Sequence, residues 1–325
     1  MASLTEWIEG ARLRTLAASI APVITGTALA WYQTRGRLAG LTDQSFPLLA
    51  PGLCLIVALG FQIGSNYAND YADGIRGTDD TRVGPQRLVG SGAASPRAVK
   101  RAAYLSFAIA GAAGLIAVIT SGAWIMVLVG GACAAAAWFY TGGKRPYGYA
   151  GLGEVFVFVF FGLVATLGTT LVLLAYYFQR AQWYILAPPQ SLAFRYLSWG
   201  PALLAATAMG AFATAILVAN NLRDRLGDEA SNKRTLAVRL GDRATRGLYV
   251  GLISLATAAI CALAAWTSRG ALIGLVGVAL AIWPVVLVAR GAQGTKLVAV
   301  LKWTGIAELV CAFGLFVGWV WLPYV

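Results

Sequence analysis

Residues 48–77 read LLAPGLCLIVALGFQIGSNYANDYADGIRG, and this stretch decides the fold. An apolar run ends here in a group of amide and carboxylate side chains. A helix that crosses a bilayer needs about 20 predominantly apolar residues, so the run predicts a membrane-spanning helix near 47–68. The polar residues that follow would then lie where this helix leaves the bilayer.

The whole chain has the composition of a membrane protein. Of its 325 residues, 59% are apolar and 12% are charged, too few polar groups to coat a water-soluble globule. A soluble enzyme is therefore nearly excluded. We predict one all-α domain, residues 1–325, a polytopic membrane bundle of nine transmembrane helices placed near 15–34, 47–68, 99–120, 123–141, 153–178, 199–220, 247–267, 271–289 and 304–323.

The cations fall mainly on one side of this topology. Of the 25 Lys and Arg residues, 20 lie in alternate segments that begin with the N-terminus. Since cytoplasmic loops carry the excess of Lys and Arg, we predict a multi-pass protein of the cell membrane with its N-terminus and acidic loops in the cytoplasm and its C-terminus outside. The net charge of +12 then reflects topology and anion binding. Neither a nucleic-acid partner nor an obligate protein partner is expected.

Two residue types limit the possible chemistry. The chain has no His, which excludes an imidazole base and His-rich zinc sites. Its four Cys residues stand singly in apolar runs without metal-site spacing, so we expect free packing residues.

The acids are concentrated in two places. Eight of the 13 Asp and Glu residues lie in two cytoplasmic loops. In FQIGSNYANDYADGIRGTDD, residues 61–80, helical periodicity puts Gln62, Asn66, Asp70 and Asp73 on one face. In VANNLRDRLGDEASNKRT, residues 218–235, Asn220, Asp224 and Asp228 recur at the same spacing. The 154-residue offset between Asn66 and Asn220 predicts two related halves, about 1–150 and 151–325.

Carboxylates stacked one turn apart repel each other, and a compensating cation is expected. Mg²⁺ is held by a few carboxylates, waters and substrate phosphates, and Arg and Lys bind phosphate oxygens. An acidic mouth with nearby Arg76, Lys233 and Arg234, above an apolar bundle, favours a diphosphate site whose substrate tail lies in lipid. The alternative is that these loops are solvated faces with surface salt bridges.

A Gly-rich loop is a weaker candidate. The segment YTGGKRPYGYAGLGE, residues 140–154, contains Lys144, Arg145 and Tyr147. It favours a phosphate or acceptor contact, and the alternative is a tight loop with two topology charges. Glu308, inside the ninth predicted helix, is either a functional acid or a neutral helix-packing group.

The strings NDYADGIRGTDD and NNLRDRLGDEASNKRTLAVRLG resemble the two Asp-rich motifs of the UbiA superfamily of intramembrane prenyltransferases. Within it they look most like the branch that acts on 1,4-dihydroxy-2-naphthoate in menaquinone biosynthesis. RLRTLAASIAPVITG and YTGGKRPYGYAGLGEVFVFVFFG share the resemblance. The superfamily pattern has an acid where this chain has Gly77, and whether Asp79 or Asp80 supplies it stays open.

The resemblance implies a nine-helix bundle with a central cavity, a lateral opening to lipid and Mg²⁺ as cofactor. It implies transfer of a polyprenyl group from polyprenyl diphosphate to dihydroxynaphthoate, with loss of CO₂, to give demethylmenaquinone. The expected catalytic residues are Asp70, Asp73, Asp224 and Asp228, and Asp79 is a further metal ligand. The expected substrate-binding residues are Asn66, Asn69, Arg76, Lys144, Arg145, Tyr147, Asn220, Asn221, Lys233 and Arg234.

Three alternatives remain at this point. A UbiA-type enzyme can use another acceptor, such as 4-hydroxybenzoate or a chlorin. A secondary transporter also carries intramembrane acids, but near the midplane, whereas these acids lie at helix ends. A CDP-alcohol phosphotransferase has paired Asp motifs too, but they are contiguous and these are about 150 residues apart.

Overall fold

The computed structural model describes residues 2–37, 48–77, 87–143, 146–182 and 187–322. Every regular element in these ranges is helical. The helices are α1 (Leu4–Gly10), α2 (Ala17–Arg37), α3 (Leu49–Gly74), α4 (Pro96–Ser121), α5 (Ile125–Phe139), α6 (Gly153–Val157), α7 (Ala165–Arg180), α8 (Pro189–Tyr196), α9 (Trp199–Ala230), α10 (Leu236–Trp266), α11 (Leu275–Ala289) and α12 (Thr295–Trp321). A π-helical segment, Phe158–Val164, joins α6 to α7 as one rod.

The all-α membrane bundle is confirmed, but the count of nine spans is slightly too high. In the described part of the chain, seven helices are long and apolar enough to cross a membrane. An eighth span results if α1 and α2, bent by 53°, are counted together. The remaining predicted span becomes α5, whose 15 residues reach only about 22 Å, against a hydrocarbon core of about 30 Å.

Several helices extend beyond their predicted ends. α9 continues to Ala230 and α10 begins at Leu236, so most of the second acidic region is helical instead of a loop over 221–246. α3 likewise continues to Gly74. Apolar length marks only the part of a helix that lies in lipid, and these ends are polar extensions of the same rods.

The tight connection predicted at Ser121–Gly122 is confirmed. Ser95 caps the start of α4 by accepting a hydrogen bond from the Ala98 N–H group, with Pro96 in the first turn. Gly122 ends the helix in the left-handed region, at φ 72°, which glycine adopts without strain. α5 follows directly, so α4 and α5 form a hairpin.

α9 is the central helix of the bundle and is rich in Ala. It packs against α2, α10, α12 and the π-helical segment. Gly162 in that segment faces Gly210 of α9 so closely that a Cβ on Gly162 would overlap the Gly210 backbone. Cys54, Cys133, Cys261 and Cys311 are free thiols, as predicted.

The outward faces are apolar, as lipid contact requires. Leu105, Ile119 and Leu128 on α4 and α5 are between 63% and 72% exposed. A water-soluble protein does not expose apolar side chains over whole helices. The chain is a multi-pass membrane protein.

Candidate active site

A cavity of about 1180 Å³ lies within the described bundle, between α3, α4, α5, the π-helical segment and α9. Its apolar wall includes Phe107, Val127 and Phe160. Many of its polar residues lie at or just beyond the ends of α3 and α9 that carry the two acidic motifs; they include Asn66, Asn69, Asp70, Asp73, Asn220, Asn221 and Lys233. The cavity thus joins a charged mouth to an apolar interior.

The two asparagines of the first motif hold neighbouring segments in place. Asn66 Nδ2 donates to the carbonyl oxygen of Ala11 at 2.9 Å, which fixes the turn between α1 and α2. Asn69 Oδ1 accepts a hydrogen bond from the Thr141 hydroxyl group at 2.7 Å, which fixes the start of the loop that follows α5. Both side chains line the cavity, but these amide contacts are structural.

Asp70 binds backbone amides. Its two carboxylate oxygens accept from the N–H groups of Leu88 and Val89 at 2.9 and 3.1 Å. The side chain is only 1% exposed. Asp70 therefore fastens the segment that starts at residue 87 onto α3, and it keeps further lone pairs because a carboxylate has about four acceptor sites.

Asp73 faces the cations of the mouth. Its Oδ1 accepts from the Tyr149 hydroxyl group at 2.6 Å, and its Oδ2 lies 3.5 Å from Arg87 and 3.9 Å from Lys233. The side chain is 2% exposed, so these charges act on one another with little screening by water. Asp73 is the acid of the first motif that joins both halves of the chain.

In the second motif, Arg223 organises the first turn. Its guanidinium binds both oxygens of Asp224 at 2.7 Å and the Asn220 amide oxygen at 2.9 Å. Asn221 points to the other side, where its Nδ2 donates to Glu154 at 2.9 Å. Asp224 does not itself line the cavity. It is connected to the cavity by its ion pair with Arg223, which does line it.

Lys233 connects the two motifs. Its ammonium lies 3.8 Å from Asp228 and 3.9 Å from Asp73. The connection depends on the turn between α9 and α10, in which Asn232 adopts φ 58°, a left-handed conformation that Asn tolerates better than most residues. One carboxylate of each motif, Asp73 and Asp228, therefore lies beside the same cation.

Tyr149 is a residue beside Asp73 and Lys233 that the sequence interpretation missed. Besides its bond to Asp73, its ring lies 4.9 Å from the Lys233 ammonium and 5.4 Å from the Arg76 guanidinium. Arg76 itself donates to the carbonyl oxygens of Thr141 and Gly143, so it holds the Gly-rich loop. The sequence signal for a tyrosine at the site is the YGY string, which does not show which of its two tyrosines faces the acids.

Tyr147 points away from the acids. Its hydroxyl group donates to the Ala136 carbonyl oxygen at 2.7 Å, and its ring stacks on Phe156 at 3.9 Å. Burial raises the pKa of Tyr147, so it stays protonated at neutral pH while its ring lines the cavity.

Of the predicted site residues that the structure describes, Arg234 stands apart from the cavity. Arg234 is exposed and is not among the residues that line the cavity. Asp79, Lys144 and Arg145 lie outside the described residues. Their roles stay predictions.

The donor set at the mouth fits a hard divalent cation that shares its ligands with a substrate. No group of three acidic or thiol side chains among the described residues could form an all-protein metal site. Asp73 and Asp228 nevertheless converge on one positive charge, the Lys233 ammonium. Mg²⁺ is commonly bound through one or two carboxylates plus substrate phosphates and water, and this pair fits that pattern.

A membrane bundle in which two acidic motifs meet beside an apolar cavity defines an integral-membrane protein with a charged site that opens on an apolar interior. The chain belongs to the UbiA prenyltransferase family, whose sequence profile matches residues 19–306. Membership removes the transporter and the CDP-alcohol phosphotransferase from consideration.

Similar proteins agree with this assignment. The chain is 46% identical over 318 residues to 1,4-dihydroxy-2-naphthoate octaprenyltransferase of Mycobacterium tuberculosis, covering 96% of each chain. The apo structure of a UbiA homolog from Aeropyrum pernix has the same fold, with a TM-score of 0.66 and 16% identity over 93% of this chain and 97% of that one. A UbiA homolog from Archaeoglobus fulgidus bound to GPP and Mg²⁺ matches with a TM-score of 0.53 and 11% identity over 96% and 99%.

Proposed function

We propose that the protein transfers a polyprenyl group from polyprenyl diphosphate to 1,4-dihydroxy-2-naphthoate, releasing diphosphate and CO₂ and forming demethylmenaquinol, the reduced form of demethylmenaquinone. The observation that carries this proposal is the convergence of Asp73 and Asp228 on Lys233 at the mouth of an apolar cavity. The octaprenyltransferase name of the 46% identical relative supports the acceptor.

The mouth is suited to a diphosphate. Asp73 and Asp228 would hold Mg²⁺, and Lys233, Arg87 and Arg223 would bind phosphate oxygens. When bound, the metal would neutralise charge that develops on the leaving diphosphate. The Archaeoglobus homolog bound to GPP and Mg²⁺ supports such a pairing of donor and metal. The prenyl tail would extend along the apolar wall.

The reaction balances without a protein base. The carbon–oxygen bond of the donor breaks and diphosphate leaves with the electron pair. The ring carbon that carries the carboxylate bonds to the allylic carbon, and loss of CO₂ returns an electron pair to the ring. Because no net proton is taken up by the protein, a chain without His can perform this reaction, and the site residues act by charge stabilisation and exclusion of water.

The orientation of the protein in the cell membrane is part of the same proposal. The cation distribution supports a cytoplasmic N-terminus and a cytoplasmic mouth, and the diphosphate and the carboxylate of the two substrates would enter from that side. The protein would act as a single domain of two related halves, without an obligate protein partner, in the cell membrane.

The decisive test is an assay of purified protein with octaprenyl diphosphate and carboxyl-labelled 1,4-dihydroxy-2-naphthoate. We expect prenylated quinol and labelled CO₂ in equal amounts. 4-Hydroxybenzoate, tested in parallel, should give at most trace product. Prenylation of 4-hydroxybenzoate in preference to the naphthoate would overturn the assigned acceptor, and no product with either acceptor would overturn the proposed function.

A further inference from the structure

The cavity wall between α2 and α3 contains a polar patch that the proposed reaction has not used. Thr15 lies just before α2 and Ser19 lies in the first turn of α2. Gln62 lies one turn before Asn66 on α3. All four side chains line the cavity. Gln62 is 8% exposed and Ser19 is 1% exposed, so the patch is within the bundle and away from bulk water.

The hydrogen bonds determine which end of the Gln62 amide is engaged. The Thr15 hydroxyl group donates its single proton to the Arg12 carbonyl oxygen at 2.9 Å. Thr15 Oγ1 can therefore only accept from Gln62, whose Nε2 lies 3.0 Å away. The other end of the amide, Oε1, has no hydrogen-bond partner among the described residues, and neither has Ser19 Oγ.

An unpartnered amide oxygen inside a membrane bundle is unfavourable. Its hydrogen bonds to water are lost on burial, and the apolar side chains of the cavity wall offer no donor in their place. Oε1 is an acceptor only, so a group that satisfies it must bring an O–H or N–H donor. A prenyl tail has neither, and the diphosphate is itself an acceptor. Of the two substrates, only the aromatic acceptor carries hydroxyl groups.

We propose that Gln62 Oε1 accepts a hydrogen bond from a ring hydroxyl group of the aromatic acceptor, and that Gln62 thereby selects hydroxylated acceptors. This inference rests on the proposed function, which supplies a dihydroxylated ring. Gln62 lies eleven residues before Asp73 on α3, about 16 Å along the helix axis. That separation leaves room for the diphosphate, the reacting carbon and the ring between the two side chains.

The test measures how binding changes when a hydroxyl group is removed from the ligand and when the Gln62 amide is removed from the protein. Wild type and Gln62→Met are assayed for turnover of 1,4-dihydroxy-2-naphthoate and for inhibition by its two analogues that each lack one hydroxyl group. In the wild type we expect one analogue to bind about tenfold more weakly than the parent acceptor. In Gln62→Met the parent should weaken by the same factor, so that this discrimination disappears, while KM for octaprenyl diphosphate stays unchanged.

Ser19→Ala is the matched control, because it removes a neighbouring hydroxyl group of the same patch but leaves the Gln62 amide and its bond to Thr15 in place. It should keep the preference for the hydroxylated ligand. Equal binding of all three ligands by the wild type would overturn the inference, even if Gln62→Met failed to fold. Equal discrimination in wild type and Gln62→Met would also overturn it, whereas a wild type without turnover would overturn the proposed function itself.

Discussion

Lys233 Nζ lies 3.9 Å from Asp73 Oδ2, so a lysine that follows the second acidic motif touches the last acid of the α3 stripe. The same ammonium lies 3.8 Å from Asp228. One cation thus links the ends of α3 and α9, which are far apart in sequence. This contact defines the point at which a diphosphate and a metal would be bound.

Replacing Lys233 with Met should nearly abolish prenyl transfer. The substitution keeps the length of the side chain but removes the charge that faces two carboxylates and the incoming phosphates. We expect kcat/KM to fall about 100-fold or more, the usual effect of losing one group that stabilises developing charge. Lys302→Met, which removes an exposed cation of α12, is the control and should keep wild-type activity. Equal activity of both variants would contradict the role of Lys233.

Tyr149→Phe removes the hydrogen bond to Asp73 but keeps the ring beside Lys233 and Arg76. A hydrogen bond to a charged group is worth about 1.5–3 kcal/mol, so kcat/KM should fall about tenfold to 100-fold. Tyr147→Phe is the matched control, since it loses a bond to the Ala136 carbonyl oxygen and should change activity little. A larger loss in Tyr147→Phe than in Tyr149→Phe would reverse the assignment of the two tyrosines.

Asp70 and Asp73 should differ when each is changed to Asn. In Asp70→Asn, one of the two carboxylate oxygens becomes an NH₂ group, which cannot accept a hydrogen bond from the Leu88 or Val89 amide. Amide hydrogen exchange at Leu88 and Val89 should therefore accelerate about tenfold. Activity should also fall, because Arg87, the residue before Leu88, would move with the loosened turn. Asp73→Asn should abolish activity while exchange at Leu88 and Val89 stays as in the wild type. Faster exchange in Asp73→Asn than in Asp70→Asn would refute this division of roles.

Removal of divalent metal should stop turnover. EDTA should reduce activity to background and excess Mg²⁺ should restore it, since two carboxylates and a diphosphate repel one another without a cation. Asp228→Asn should raise the Mg²⁺ concentration needed for half-maximal activity. Turnover that persists in metal-free buffer would exclude a metal at this mouth.

Gly162→Ala should destabilise the bundle, because the new Cβ would overlap the backbone of Gly210. Overpacking of this kind typically costs about 1–3 kcal/mol, to be measured as a lower unfolding midpoint in detergent. Gly168→Ala lies on the same rod, where a Cβ would meet only the Met126 sulfur at 3.8 Å. This control should unfold like the wild type, and equal midpoints for both variants would disprove the close contact.

The sequence predicted the fold class and the pairing of the motifs because both depend on local periodicity. Apolar length identified the spans, and the spacing from Asn66 to Asp73 and from Asn220 to Asp228 placed each group on one helix. The exception among the spans was α5, which ends at Phe139 because the chain turns toward Gly142. Apolar composition does not locate the end of a helix to within one turn.

The partners of each site residue could not be predicted, since they come from distant segments. Asn66 binds the carbonyl oxygen of Ala11, and Asp70 binds amides of a loop. The place of Tyr149 beside Asp73 could not be predicted for a similar reason, and the role of Tyr147 stays a prediction. These residues lie in a single 3-10 turn that directs one hydroxyl group to α5 and the other to α3, and only the docking of that turn decides which is which.

The turn between α1 and α2 has a consequence for the fate of the donor. Asn66 holds this turn, Tyr67 donates to the Trp7 carbonyl oxygen at 2.9 Å, and Glu9 and Gly10 line the cavity. The N-terminal helix is thus a fixed cover beside the charged mouth. An allylic cation that meets water is hydrolysed to a prenyl alcohol, and exclusion of water prevents such side reactions. We therefore expect loosening of this helix to raise the share of the donor that is hydrolysed instead of transferred.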